Sequence, residues 1–369
     1  MPNPSSFAIE DIKQIVNDVL TVSWKYALQY GNTGGLPELR EEISRMLMET
    51  EGFAADPQEI IVTSGSQQGL YALPKILANP GDIIISEAPT YIGAISSFNV
   101  NGIRTIGIPM DEFGIKTDLL EKTLEDLKRS GKKPRYIYVI PNFHNPAGYT
   151  LSLERRKHLL ELSSKYGIPI VEDNPYGEIR FSGEKVPSLK KLDPTAEVTY
   201  LGTFSKVMTP GLRIGYLVSS TEVVRKVNLL KQAVALATDT LSEYIALEYL
   251  KRGIMKKQVP KTITLYRKKR DIMLSSLEEC FPEGSTWSRP DGGMFIWAEV
   301  DKSIDTTAMI TKALEKKVAY VSGSSFFPDG SKRNNMRLNF TFSEDDQIKE
   351  GIMRLGEVIS SEMKLVKAA

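Results

Sequence analysis

Seven short apolar runs, followed by turns and helix-like segments, limit the folds open to this chain more than any other feature. They span residues 59–66, 82–91, 103–110, 135–142, 168–176, 199–205 and 213–219. Runs in which nearly every residue is apolar are typical of strands that are buried on both faces. Between them, segments such as 152–167 repeat apolar residues at helical spacing, and Gly167 supplies a stop signal. Strands that alternate with helices predict a mostly parallel sheet with helices on both faces.

The pattern changes near residue 230, where a long helical stretch precedes strand-like runs at 292–300, 318–327 and 334–343. A chain of 369 residues is long enough for two domains, and this change predicts a smaller α+β domain after the large α/β domain. The expected division is an N-terminal segment at 1–29 that packs on the small domain, a large ligand-binding domain at 30–240 and a small C-terminal domain at 241–369.

Composition excludes several classes of function. Lys and Arg number 47 against 46 Asp and Glu, so the net charge of +1 gives no global field for nucleic acid or an anionic membrane. The single cysteine, Cys280, excludes an internal disulfide and a cysteine-based zinc site and is typical of the reducing cytosol. With only two histidines, His144 and His158, we expect no His-rich metal site. Without a signal-peptide pattern or a long apolar window, we expect a soluble cytoplasmic protein with neither nucleic acid nor membrane as a partner.

Polar residues follow several apolar runs, at the edge where open α/β sheets bind their ligands. The stretch TSGSQQGL (63–70) is a Gly/Ser turn that opens a helix, whose free N–H groups can bind an anion or can form a plain N-cap. It has neither a P-loop lysine nor a GxGxxG spacing, which argues against NTPases and nicotinamide enzymes. Asp173 comes just past the apolar part of the fifth run, where a carboxylate is costly unless a cationic group meets it. Lys206 follows the sixth run, and Arg213 comes shortly after it.

One ligand accounts for the whole set. Tyr91 in APTY, Asn145 in PNFHNPAG and Tyr176 in EDNPY each allow an ordinary packing or turn role when taken alone. Together with the anion site, the carboxylate and the lysine, they match the groups that hold pyridoxal phosphate. The phosphate takes a helix N-terminus and an arginine, the ring stacks on an aromatic, the ring nitrogen pairs with a carboxylate, and the aldehyde forms a Schiff base with a lysine.

In the order of its motifs, the chain resembles the fold-type I pyridoxal-phosphate enzymes of the class I/II aminotransferase group. The motifs are YGNTGG, TSGSQQGL, APTY, PNFHNPAG, EDNPY, TFSKVMTPGLRIGY and MRLNF, and they extend from about residue 30 to about residue 340. The chain is most similar to the branch with 2-aminoadipate, aromatic and broad-range amino acid aminotransferases. The resemblance implies a large domain with a mostly parallel seven-stranded sheet sandwiched by helices, and a smaller α+β C-terminal domain.

The resemblance also implies roles for the matching residues. Lys206 matches the Schiff-base lysine that moves the proton from the substrate Cα, and Asp173 matches the partner of the ring nitrogen. Tyr176 and Asn145 match the groups that hydrogen-bond the ring hydroxyl oxygen, and Tyr91 matches the stacking ring. Catalytic roles are thereby implied for Lys206, Asp173 and Tyr176. The matching phosphate ligands are Ser66, Gln67, Thr203, Ser205 and Arg213, of which the arginine suits a phosphate best.

Further matches concern the substrate and a partner subunit. Arg337 in MRLNF matches the arginine that binds the substrate α-carboxylate next to Asn145, and a surface strand arginine is the alternative. Tyr30 in YGNTGG matches a tyrosine that reaches the phosphate from the neighbouring subunit, so the resemblance implies a homodimer. His144, inside PNFHNPAG, is expected to be a solvated turn residue, with a modulating role in the site as the alternative.

The implied activity is transamination between an amino acid and a 2-oxo acid, with 2-oxoglutarate as the expected acceptor and with ping-pong kinetics. Members of the family carry an N-terminal arm over the substrate, whereas this sequence begins at Met1 just before PNPSSFAIEDI. We therefore expect either a truncated or an absent arm, and aromatic, aliphatic and 2-aminoadipate-like donors all stay open.

Two alternatives to transamination remain. The first is another reaction on the same cofactor, such as β-elimination or decarboxylation, because fold and cofactor do not fix the bond that breaks. The second is a non-enzymatic sensor, since some regulators fuse an aminotransferase-like domain to a winged-helix DNA-binding domain. The near-zero net charge argues against the second.

Overall fold

The computed structural model describes residues 1–193 and 197–368, with side chains described up to residue 365. Its strands form two separate sheets. The strands are β1 (Ile60–Ser64), β2 (Ile83–Ala88), β3 (Arg104–Asp111), β4 (Gly114–Ile115), β5 (Ile137–Val139), β6 (Ile170–Asp173), β7 (Val198–Thr203), β8 (Ile214–Val218), β9 (Thr286–Trp287), β10 (Phe295–Glu299), β11 (Val321–Ser322) and β12 (Asn335–Asn339).

Helices precede, separate and follow these strands. They are α1 (Ile9–Val22), α2 (Trp24–Ala27), α3 (Pro37–Thr50), α4 (Ser66–Leu77), α5 (Ile92–Val100), α6 (Thr117–Arg129), α7 (Leu153–Tyr166), α8 (Leu189–Leu192), α9 (Thr221–Ala235), α10 (Thr240–Lys251), α11 (Ile254–Cys280), α12 (Thr306–Glu315) and α13 (Asp345–Ala368). Short 3₁₀ turns lie at Pro4–Ser6, Pro57–Glu59 and Gly323–Phe326. Within the described part of the chain, no helix is both long and apolar enough to cross a membrane.

The large sheet has the strand order β1-β8-β7-β6-β5-β2-β3-β4. Strands β3, β2, β5, β6 and β7 run parallel to one another, while β1, β8 and β4 pair antiparallel with their neighbours. Each of the seven apolar runs overlaps one of these strands, which confirms the expected α/β fold. The sheet has one strand more than expected, because β4 folds back on the end of β3, where Asp111 pairs with Gly114. Two residues are too few to give an apolar run.

Helices cover both faces of the large sheet, as the sequence predicts. On one face α7 packs through Leu159, and on the other α4 and α5 pack through Leu73 and Phe98. Successive strand residues point to opposite faces, so Ile137 and Tyr138 of β5 enter different layers. Burial on both sides explains why these strands lack polar alternation. The carboxyl ends of the parallel strands consequently share one edge.

The smaller sheet, in the order β11-β12-β10-β9, is antiparallel throughout. Helices α11, α12 and α13 cover it, and Leu277, Met309 and Leu355 pack there against Ile296 and Leu338. This second layered unit is the α+β part that the change in pattern near residue 230 predicts.

The first residues of the chain contact the helices and loops of this smaller unit. Asn3 donates its backbone N–H to Tyr266 Oη of α11 and its side-chain amide to the carbonyl of Phe342, both at 3.0 Å. Gln258 Nε2 donates to the carbonyl of Ser6 at 2.8 Å. These bonds fix the start of the chain near β12, which carries Arg337.

Candidate active site

A pocket opens at the carboxyl edge of the large sheet. Most of the residues that the sequence analysis selects line it, namely Ser66, Gln67, Tyr91, Asn145, Asp173, Tyr176, Thr203, Ser205, Lys206 and Arg213. They come from the start of α4, the residue before α5, the segments around the ends of β5, β6 and β7, and the residue before β8. These distant parts of the chain converge because parallel strands end at one edge. Arg337 joins the group through a hydrogen bond to Asn145.

Lys206 lies in the segment between β7 and β8. Its Nζ makes no hydrogen bond to any described residue. Burial lowers the pKa of Lys206 to about 8, and the positive charges of Arg213 and Arg337 act in the same direction. Near neutral pH an appreciable fraction of the side chain is therefore a neutral amine, which is the form that attacks a carbonyl or accepts a proton.

Asp173 is the last residue of β6 and is almost completely buried. Its Oδ2 accepts a hydrogen bond from Tyr138 Oη at 2.8 Å, while its Oδ1 is buried with no hydrogen-bond partner among the described residues. Burial raises the pKa of Asp173 to about 7, although the Tyr138 hydroxyl opposes that shift. A buried carboxylate oxygen without a partner is costly, so this atom suits a cationic ligand group.

Asn145 connects two other polar groups of the pocket. Its Nδ2 lies 3.3 Å from Tyr176 Oη, to which it donates, and its Oδ1 accepts from Arg337 Nη1 at 2.8 Å. The Arg337 guanidinium lies 4.2 Å from the ring centre of Phe295 and 5.0 Å from that of Phe326. Its Nε is buried with no hydrogen-bond partner among the described residues. A fixed guanidinium with unused donors suits a carboxylate.

The opposite end of the pocket is arranged for an anion. Gly65 has a φ of 69° and precedes α4, so the N–H groups of Ser66 and Gln67 belong to the free first turn of a helix. A Cβ atom at Gly65 would contact the Arg213 guanidinium, which explains the glycine. Arg213 itself has a φ of 56°, and its Nη1 lies 3.4 Å from Ser205 Oγ. Thr203 Oγ1 donates to the same Ser205 Oγ at 3.0 Å.

Gln67 and Tyr91 are held by the start of α5. The side-chain amide of Gln67 donates to the carbonyl of Gly93 and to Ser97 Oγ, both at 2.9 Å, so its backbone N–H is the donor left for a ligand. A Cβ atom at Gly93 would lie 2.5 Å from the Tyr91 ring, so this glycine lets the ring lie close to the helix. The half-buried Tyr91 ring forms part of the pocket wall.

Tyr30 is the one selected residue that the single chain leaves outside the site. It is 82% exposed, and its backbone N–H is held by its neighbour Gln29 at 2.9 Å. Several apolar side chains just before it are also exposed, including Val22, Trp24, Tyr26 and Leu28. The segment thus presents an apolar surface to solvent in the isolated chain.

A family model described as "Aminotransferase class I and II" matches residues 4–355. This chain belongs to that family. The aminotransferase is 46% identical over 364 residues to aromatic-amino-acid aminotransferase 1 of Thermococcus litoralis, an alignment that covers 99% of this chain and 87% of that protein. Named relatives of this kind identify the chain as an amino acid aminotransferase.

Solved structures support the same family. The multiple substrate aminotransferase of Thermococcus profundus superposes with a TM-score of 0.96 at 43% identity, covering 99% of this chain and 90% of that one. The α-aminoadipate aminotransferase of Thermus thermophilus gives a TM-score of 0.93 at 34% identity, covering 99% of this chain and 92% of that one. The latter structure contains N-(5′-phosphopyridoxyl)-L-leucine.

Pyridoxal phosphate is the cofactor of this aminotransferase, and the pocket fits it. The unpartnered Oδ1 of Asp173 suits a protonated ring nitrogen, and the helix start beside Arg213 suits a phosphate. The amine of Lys206 has no hydrogen-bond partner among the described residues and is available to the aldehyde. Within the described ranges, no group of three or more His, Cys, Asp or Glu side chains is arranged to hold a metal ion.

Two features of this aminotransferase differ from, or add to, what the sequence predicts. The expectation that His144 is solvated is wrong: it is 1% exposed, and its Nε2 lies 3.0 Å from Glu87 Oε2, because the loop after β5 folds against the end of β2. Tyr138 is absent from the predicted set, although it is the only residue that hydrogen-bonds the Asp173 carboxylate in the described part of the chain. The pattern of RYIYVIPN indicates a buried strand and nothing more.

Proposed function

We propose that this aminotransferase transfers the amino group of an aromatic, 2-aminoadipate-like or broader set of amino acids to 2-oxoglutarate by a ping-pong mechanism. The observation that carries this proposal is the position of Arg337. Its guanidinium is bonded to Asn145 at 2.8 Å, beside the pocket that contains Lys206. Amino acids and 2-oxo acids share an α-carboxylate, so one arginine can hold both substrates in turn.

The chain's own residues have distinct proposed tasks. Bound pyridoxal phosphate supplies an electron sink next to the substrate Cα. Lys206 binds the cofactor and moves the Cα proton, for which a pKa of about 8 is well matched. Asp173 holds the ring nitrogen in its protonated form, while Tyr176 and Asn145 bind the ring hydroxyl oxygen. The phosphate ligands are Ser66, Gln67, Thr203, Ser205 and Arg213, and Tyr91 stacks on the ring.

The reaction type is tested by following both substrates. We expect the holoenzyme to lose the absorption band of its bound aldehyde when an amino donor is added without an acceptor. Adding 2-oxoglutarate should then restore the band, with one glutamate formed for each donor molecule consumed. A screen of aromatic, aliphatic and 2-aminoadipate-like donors then gives the substrate range. Release of ammonia or carbon dioxide without glutamate would instead favour elimination or decarboxylation. A protein that pyridoxal phosphate cannot load would contradict the proposal altogether.

We also propose a homodimer in which Tyr30 reaches the phosphate of the partner subunit's cofactor. The support is the exposed apolar segment around Trp24 and Leu28, which a second copy of the chain would cover. The Tyr30 side chain is 82% exposed on the single chain, and a nearby phosphate of the partner subunit's cofactor would give its hydroxyl an acceptor.

The Tyr30→Phe variant should bind pyridoxal phosphate about three- to tenfold more weakly, because one hydrogen bond to the phosphate is lost. Tyr26→Phe is the matched control, since Tyr26 lies on the same segment and is 72% exposed. Absorbance titration of the apoprotein measures both affinities, and sedimentation velocity measures the dimer. A monomeric holoenzyme, or equal losses in the two variants, would contradict the shared site.

The division into segments 1–29, 30–240 and 241–369 is likewise a proposal, supported by the two separate sheets. Helix α10 forms a bond across the proposed boundary, because Glu243 Oε2 accepts the backbone N–H of Leu36 at 2.7 Å. The cytoplasmic location stays a prediction from composition.

A further inference from the structure

Tyr138 is buried behind the pocket, and its hydroxyl makes one hydrogen bond among the described residues. On the sheet it lies opposite Val171, so Asp173, two residues further along β6, points to the same face. The Tyr138 ring packs edge-on against Phe98, with ring centres 5.6 Å apart. This packing aims the hydroxyl at Asp173 Oδ2, which it meets at 2.8 Å.

The hydroxyl acts only as a donor toward Asp173. Burial holds the pKa of Tyr138 well above its usual range, so the phenol keeps its proton. A carboxylate that accepts a hydrogen bond has a more stable charged form. Because Oδ2 is occupied, Oδ1 is the oxygen left for a ligand.

Several charged or titratable groups face Asp173 from the surrounding strands. Glu87 at the end of β2 repels its negative charge, and Lys206 after β7 attracts it. Burial raises the pKa values of Tyr91 and Tyr176, and the nearby charge of Asp173 acts in the same direction. The Tyr138 hydroxyl is the group that acts on the carboxylate by direct contact.

We propose that Tyr138 is a positioning residue that keeps Asp173 charged and turns one carboxylate oxygen toward the cofactor's ring nitrogen. This inference rests on the proposed role of Asp173. It assigns a task in the reaction to a residue that does not line the pocket.

The neighbouring Tyr136 provides a close control. Tyr136 and Tyr138 are both 1% exposed or less, and both pack edge-on against Phe98, at 6.2 Å and 5.6 Å between ring centres. Only Tyr138 bonds Asp173 within the described residues. Replacing either tyrosine with phenylalanine removes one oxygen and keeps the ring.

The test compares two ligands of the apoprotein: pyridoxal phosphate and an analogue with carbon in place of the ring nitrogen. Tyr138→Phe should weaken binding of pyridoxal phosphate by about tenfold and leave binding of the analogue unchanged, because the lost bond acts through the ring nitrogen. Tyr136→Phe should change neither affinity. Equal weakening for both ligands, up to complete loss, would show a purely structural role and overturn the inference, as would no weakening at all.

A parallel Asp173→Asn measurement separates two kinds of failure. If Asp173→Asn does not discriminate between the ligands, the proposed role of Asp173 is wrong. If it discriminates and Tyr138→Phe does not, only the role of Tyr138 is wrong. In the supporting case, Tyr138→Phe also shifts the pH midpoint of the bound cofactor's absorption upward, since a less protonated ring withdraws fewer electrons from the aldehyde end.

Discussion

Replacing Lys206 with alanine should lower kcat/KM for transamination by about 10⁴-fold or more, because the same side chain is proposed to bind the cofactor and to move the substrate proton. The variant should fold normally, since the Lys206 amine has no hydrogen bond to any other described residue. Single-turnover assays with amino acid and excess pyridoxal phosphate measure the loss of the chemical step apart from weaker cofactor binding.

Lys206→Arg is the control for charge. Arginine keeps the positive charge but stays protonated at any working pH, so it can neither attack the aldehyde nor accept a proton. We expect it to be as inactive as Lys206→Ala. A small primary amine in the buffer should restore part of the activity of the alanine variant, because the vacated space admits a replacement base. Near-normal rates in Lys206→Arg would exclude the proposed role.

Asp173 and Lys206 could be placed at the site from sequence because each comes at the end of a recognisable apolar run, whereas the roles of the other selected residues come from the family resemblance. Once Asp173 and Lys206 are placed after neighbouring parallel strands, their convergence follows from the sheet itself. Turn glycines give further local signals, and Gly65 before α4 is one of them. The positions of these residues depend on the order of the strands in the sheet and not on the contacts of individual side chains.

Tyr138 could not be selected from the sequence, because its contact with Asp173 depends on the register between two strands. Two tyrosines alternate in RYIYVIPN, and both enter the same helical layer. Only the register, with Tyr138 opposite Val171, determines which hydroxyl reaches Asp173. Register is a property of two strands that are far apart in the chain, so a local pattern cannot supply it.

The surroundings of His144 and Tyr30 do not follow from the local sequence, for different reasons. The turn pattern of PNFHNPAG predicts exposure, but the loop packs against Glu87 and buries the imidazole. Tyr30 lies on the surface of the single chain, and its proposed task needs a second copy. In both cases the residue meets, or is proposed to meet, a surface formed by a distant segment or by a second copy of the chain, which the neighbouring residues in the sequence do not indicate.

Replacing Asp173 with asparagine should lower kcat/KM by about 10²- to 10³-fold, because a neutral amide cannot hold the ring nitrogen protonated. The change keeps the shape of the side chain, and the oxygen of the amide can still accept the Tyr138 hydroxyl at the place of Oδ2. Steady-state kinetics with saturating pyridoxal phosphate measure the loss. An asparagine variant with normal kcat would contradict the proposed electrostatic role.

The same substitution should make the apoprotein more stable at alkaline pH. Burial raises the pKa of Asp173 from 3.8 to about 7 in the folded chain, so between these values the folded state holds a proton that the unfolded state has lost. The free energy of unfolding of the wild type therefore falls as the pH rises through this window, and the full cost of the buried charge is present above about pH 7. Asparagine removes that cost, and the gain above pH 7 should be about 1–4 kcal/mol.

Urea unfolding of the two apoproteins at about pH 5 and about pH 8.5 tests this sign, because the advantage of the variant should grow with pH. An advantage that is equal at both pH values would mean that the Asp173 carboxylate is not the source of the cost. With pyridoxal phosphate bound, this advantage should shrink or reverse, since the ring nitrogen gives the wild-type carboxylate a cationic partner and the variant gains less from the cofactor. The charge that destabilises the apoprotein is then the same charge that the cofactor requires.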